Sequence, residues 1–123
     1  MSARVKIGII GLGYWGKNLL RNLNELNVLA IACDCDKNII KARKKEFPGL
    51  KYTSSVSEAL NNPQIKGVVI ATPAATHYEI AKRALEAGKD VFVEKPLALN
   101  IKQGKELAAL AKARKKILMV GHI

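Results

Sequence analysis

Apolar residues fall in short runs that alternate with amphipathic stretches along the chain. The β-branched run over 5–10 is long enough for a strand buried on both faces. Over 14–26, Leu19, Leu20, Leu23 and Leu26 recur at helical spacing, with Trp15 one turn earlier. A second apolar run, 28–33, predicts the next strand. Asp36 is placed to cap a helix that Pro48-Gly49 stops near Phe47. A weak short strand over 50–53 precedes Ser55-x-x-Glu58, which has the form of a capping box for a short helix ending near Asn61. The run over 66–71 contains Val68-Val69-Ile70, a strongly buried strand. A helix over 76–87 ends at Gly88, a residue that tolerates positive φ. A strand over 90–93, a helix opened by Asn100-x-x-Gln103 and reaching Lys115, and a strand over 117–120 complete the series.

This strict β-α alternation has no hairpin signal and no internal repeat. It predicts an α/β fold with a doubly wound parallel sheet covered on both faces. Right-handed crossovers give the strand order 3-2-1-4-5-6. The length of 123 residues allows one domain, with roughly two thirds of the unfolded surface buried.

Composition narrows the picture only slightly. No apolar run approaches the roughly 18 residues of a membrane span, and no cleavable leader is legible, so a cytoplasmic protein is expected. Cys33 and Cys35 read as buried, reduced thiols, and with His77 and His122 they offer no metal-ligand spacing. The net charge of +11 suits anionic ligands, but the basic residues, 16 of 21 of them Lys, are spread along the whole chain. A nucleic-acid binder is disfavoured, because none of the six aromatics sits in a basic run.

The chemistry starts at Gly11-Leu12-Gly13-Tyr14-Trp15-Gly16, a G-x-G-x-x-G between the first strand and the first helix. In that setting Gly11 permits the tight turn, Gly13 admits a pyrophosphate to the backbone, and Gly16 lets helix and strand pack closely. N–H groups at the helix start then face the phosphates, and Tyr14 and Trp15 stand beside them. Asp34, at the end of the second strand, is placed to accept the ribose hydroxyls of an adenosine, which favours NAD over NADP. Lys37 and Arg43 weaken that preference if they turn inward. The pattern is that of a Rossmann dinucleotide-binding domain.

Two further motifs, Thr72-Pro73 with His77 and then Glu94-Lys95-Pro96, follow in order. Together the three resemble the Gfo/Idh/MocA oxidoreductases over the whole chain. The resemblance implies NAD as cofactor and a cleft that includes Thr72, Pro73, His77, Glu94, Lys95 and Pro96. It implies that Lys95 is catalytic, beside the nicotinamide and the substrate hydroxyl, stabilising a developing alkoxide or relaying a proton. It also implies a cis bond before Pro96 and a Glu94 that orients Lys95 or lines the cleft. Many relatives have Asn after Thr-Pro, and Ala74 stands there instead, which removes an amide that would reach the ribose. Family members are far longer and carry a C-terminal domain that shapes the substrate site and assembles a homo-oligomer. Residues 1–123 therefore correspond to the dinucleotide-binding domain, with the substrate domain absent.

The function so implied is hydride transfer between NAD and a sugar, polyol or nucleotide-sugar hydroxyl, with the chain alone inactive. The stretch 13–18 looks most like members acting on UDP-amino sugars. The alternative is a stand-alone dinucleotide-binding or regulatory module without catalysis, which has no use for Lys95 and Pro96.

Overall fold

A computed structural model describes residues 5–121 of the 123-residue chain; residues 1–4 and the His122 weighed as a ligand lie outside them. The apolar runs become strands and the amphipathic stretches become helices. In order these are β1 (Ile7–Ile10), α1 (Tyr14–Glu25), β2 (Leu29–Cys33), α2 (Lys37–Glu46), β3 (Tyr52–Thr53), α3 (Val56–Asn61) and β4 (Gly67–Ile70). A 3-10 turn, Ala74–Thr76, then leads into α4 (His77–Glu86), β5 (Asp90–Glu94), α5 (Ile101–Arg114) and β6 (Leu118–Gly121). All neighbouring strands pair in parallel, and the sheet order is β3-β2-β1-β4-β5-β6, as the alternation predicts.

Side chains on each strand alternate between two apolar layers, the period of two that pleating imposes. Ile10, Ile31, Cys33, Val68, Ile70, Val91 and Val93 enter one layer with Leu60, Ile80, Leu85 and Leu107 of the helices. Ile9, Ala32 and Val69 enter the other, with Leu20 of α1 and Ile40 of α2. Each fully buried Leu or Ile contributes roughly 1.5–3 kcal/mol. The second layer is incomplete on the β5–β6 side. There Phe92 is half-buried, Met119 is 54% exposed, and a furrow of about 140 Å³ runs past Ile7, Val69, Phe92 and Ile117.

The helix starts follow the predicted caps. Asp36 accepts from the Asn38 N–H, Ser55 from Glu58 and Asn100 from Gln103. The Ser55 box is only half formed. Glu58 accepts from the Thr53 hydroxyl at 2.6 Å, and that same hydroxyl takes the Ser55 N–H, so the carboxylate ties α3 to β3 rather than closing on Ser55. Gly88 ends α4 at φ +80°. Two residues of the apolar stripe expected on α1 stay at the surface. Leu26 is the C-cap, beyond the last buried turn, and Trp15 opens the helix on its cleft side at 47% exposure.

The ends of the sheet opposite the cleft are closed by Lys89, which is 5% exposed. Its ammonium donates to the carbonyls of Asn62 (2.8 Å) and Ile65 (2.7 Å), so the buried charge is solvated by backbone. Burial, followed by the charges of Lys66 and Lys116, holds it below the ordinary lysine range.

Candidate functional site

At the carboxyl ends of β1, β2, β4 and β5 lies a cleft of about 580 Å³, on the crevice side where doubly wound sheets take their ligands. The first wall is the glycine turn. Gly11 has φ +102°, and a Cβ there would come within 2.5 Å of the Ala71 carbonyl carbon, so the turn passes directly over the end of β4. At Gly16 a Cβ would strike the Gly11 carbonyl oxygen, so α1 starts in contact with the turn. A Cβ at Gly13 would meet nothing within 4 Å, which leaves the backbone there open on the cleft side. Gly13 is also the N-cap of α1 and supplies no side-chain cap, and the first turn holds no acidic residue. The first N–H groups of a 12-residue helix are thereby left to an anionic ligand, with the helix dipole in its favour. Tyr14 and Trp15 pack edge to face, centroids 5.0 Å apart, at the rim.

Asp34 forms the second wall. Its Oδ2 accepts the Leu12 N–H and its Oδ1 the Asp36 N–H, each at 2.8 Å. Each carboxylate oxygen retains a further acceptor position, and the residue is half-buried and lines the cleft. Arg43 of α2 grips the same peptide segment from the other side. Its Nε donates to the Leu12 carbonyl at 2.8 Å and a terminal nitrogen to Glu46. Arg43 is thus turned inward but spent on the turn. Lys37 lines a separate groove with Lys41 and Lys44.

Thr72 and Pro73 form the third wall, held by Thr76, whose Oγ1 lies 2.6 Å from both Thr72 Oγ1 and the Pro73 carbonyl. Glu94 also lines the cleft and, among the described residues, makes no ion pair with Lys95. Lys95 and Pro96 are exposed just past the end of β5, joined by a cis peptide, and do not line the cavity itself. His77 lies behind the wall at 2% exposure, with Nδ1 2.7 Å from the Pro96 carbonyl and Nε2 2.8 Å from the Thr72 carbonyl.

The fold therefore brings Gly11, Gly13, Tyr14, Trp15, Asp34, Thr72, Pro73 and Glu94 around one cavity, and sets Gly16, His77, Lys95 and Pro96 at its margins. Sequence reasoning missed Ile39, Val56, Ile80 and Thr76 on the cavity wall, since apolar and hydroxyl residues in helical stretches read as packing. It also missed the grip of Arg43 on Leu12, which joins residues 31 apart. The expectation for the thiols is half corrected. Cys33, the last residue of β2, is buried, but the strand ends there, and Cys35 is exposed on the cleft wall. Burial first, then the charge of Asp34, pushes the Cys33 thiol up to about 11.

Among the described residues no three of His, Cys, Asp and Glu gather as a metal site, and no helix is long and apolar enough to cross a membrane.

Comparison with known proteins agrees with this geometry. The Gfo/Idh/MocA family model, an oxidoreductase family with an NAD-binding Rossmann fold, matches residues 5–122. An uncharacterized oxidoreductase of Escherichia coli, YdgJ, is 38% identical over 99% of the chain. The inositol 2-dehydrogenase/D-chiro-inositol 3-dehydrogenase of Lactiplantibacillus plantarum is 36% identical over 96%. The crystal structure of GenD2 from gentamicin A biosynthesis, in complex with NAD, superposes with a TM-score of 0.89 at 33% identity over 98% of the chain. The chain covers 35% of each of these three proteins, about a third of their length.

Proposed function

This chain belongs to the Gfo/Idh/MocA oxidoreductase family, and from that premise we propose that it is the cofactor-holding part of an NAD-dependent sugar or polyol dehydrogenase. The observation that carries the reading is the convergence of three features on one cavity: the uncapped start of α1, the open backbone at Gly13 and the carboxylate of Asp34. This donor and acceptor set fits a dinucleotide. N–H groups at the start of α1 would hold the pyrophosphate, the free acceptor positions of Asp34 would take the ribose hydroxyls, and the apolar lining of Ile10, Ile39, Val56 and Ile80 would exclude water.

When bound, the nicotinamide supplies the hydride acceptor for the carbon bearing the substrate hydroxyl. The tasks left to the chain are binding and proton control. In this reading Gly11, Gly13, Tyr14, Trp15 and Gly16 shape the phosphate turn, and Asp34 selects NAD over NADP by placing negative charge where a 2′-phosphate would sit. Thr72, Pro73 and Glu94 line the remainder, backed by His77. Lys95 is the catalytic residue: its neutral amine would take the hydroxyl proton as the hydride leaves the carbon and pass it to solvent, and the ammonium so formed would stabilise the developing alkoxide. The substrate is a sugar, polyol or nucleotide-sugar alcohol, completed by a second domain beyond residue 123, and the setting is the cytoplasm. Alone, the chain binds cofactor and turns over no sugar.

Trp15 is the single tryptophan and stands at the cleft rim, so its fluorescence tests the reading directly. Saturable quenching by NADH, with weaker binding of NADPH, is expected. No saturable response to either, matched by silent calorimetry, would sink it.

A further inference from the structure

His77 touches neither water nor the cavity, yet it joins two segments that border it. Its ring is 2% exposed and lies between the Thr72 carbonyl, at the end of β4, and the Pro96 carbonyl, one residue beyond Lys95. Both partners are backbone oxygens, which only accept. The two ring nitrogens lie 2.7 and 2.8 Å from them, so the imidazole is held between the two loops by one contact on each side, whichever nitrogen carries the N–H. The two carbonyls belong to separate crossovers, after β4 and after β5, which the sheet alone joins only as far as Ile70 and Val93.

We propose that His77 is a positioning residue that fixes the Lys95–Pro96 segment to the Thr72–Pro73 wall and so sets where Lys95 stands relative to the cleft. The bridge is a property of this chain, and its catalytic meaning rests on the role given to Lys95 above. It also places His77 one layer behind the cofactor, acting through the backbone of two loops.

The test is ¹H–¹⁵N correlation spectroscopy on the ¹⁵N-labelled variant His77→Phe, which keeps a ring in the buried position but has no nitrogen to contact either carbonyl. Its amide shifts should move together at Ala74 and Leu97, which flank the two carbonyl segments, and stay in place at Leu19 and Leu20 of α1. NADH affinity should fall about tenfold. Unmoved shifts at Ala74 and Leu97 would overturn the coupling. NADH titration of the parent chain keeps the two readings separate. Joint shifts at Ala74 and Leu97 in the variant, without NADH binding by the parent, refute the cofactor assignment alone, whereas NADH binding by the parent with unmoved shifts in the variant refutes the bridge alone.

Discussion

Asp34 holds Leu12: the Oδ2 of its carboxylate accepts the Leu12 N–H at 2.8 Å, across 22 residues of sequence. The residue proposed to accept the ribose hydroxyls is thus also a structural strut of the glycine turn. Its two roles load different readouts, cofactor affinity for one and stability for the other.

Asp34→Ala removes both the strut and the cleft acceptor. NADH affinity should fall at least tenfold, with a loss of about 1–2 kcal/mol in stability and a melting temperature lower by about 4 °C. Calorimetric titration and thermal melting measure the two. Unchanged NADH affinity would remove Asp34 from the site.

The glycines of the turn divide in the same way. Gly16→Ala puts a methyl against the Gly11 carbonyl oxygen and should cost about 2 kcal/mol or more, read as a lower urea midpoint. Gly13→Ala meets no atom of the chain, so it should leave the midpoint within about 0.5 kcal/mol. It should nonetheless weaken NADH binding, since the methyl enters the space proposed for the pyrophosphate. Equal NADH affinity in Gly13→Ala and the parent would contradict that placement.

The two thiols should behave as different chemical species. Cys35 is exposed on the cleft wall and Cys33 is buried behind it, with its ionisation pushed up to about 11. Iodoacetamide at pH 8 should label one thiol per native chain and two in urea, as counted by mass spectrometry. NADH should slow labelling of Cys35, and labelling of Cys33 in the native chain would be incompatible with this arrangement.

Burial of Cys33 also gives stability a pH dependence. The folded thiol ionises later than the unfolded one, so the unfolded chain releases its proton first as pH rises from about 8.5. Stability from this group is complete below that point and is lost progressively toward about pH 11. Urea midpoints should fall less between pH 8 and 10 in Cys33→Ala than in the parent. Lys89 acts in the opposite sense, its depressed ionisation favouring the fold as pH rises, but it is present in both proteins and cancels in the comparison.

Lys89→Met keeps the length of the side chain but strands the carbonyls of Asn62 and Ile65. A destabilisation of about 2 kcal/mol is expected by urea titration, with NADH affinity per folded molecule unchanged because Lys89 sits at the far end of the sheet. A melting temperature equal to the parent's would show that the two bonds contribute nothing net.

The elements and their order were legible from periodicity, because parallel strands buried on both faces leave runs such as Val68-Val69-Ile70 that few other structures explain. The glycine turn and Asp34 were legible for a related reason: tight turns and close approaches constrain residue type locally. What escaped notice depends on long-range geometry. Nothing near Arg43 announces that its guanidinium will reach back to Leu12, and Thr76 or Ile80 looks like any helix residue until the fold lays it against the cleft. The exposure of Cys35 turned on where β2 ends, and strand ends are set by the neighbour's register more than by local preference.

The central pairing of the sheet, in which Ile7 lies beside Gly67, has a consequence for the birth of the protein. While the ribosome is still working toward β4, the first half of the chain can assemble only β3-β2-β1. The strand destined for the middle is then an edge, showing an open row of N–H and C=O groups to whatever is nearby. Two nascent chains meeting at that stage would find each other's β1 as good a neighbour as the β4 not yet made. The half-synthesised molecule is therefore the one most open to pairing with the wrong neighbour.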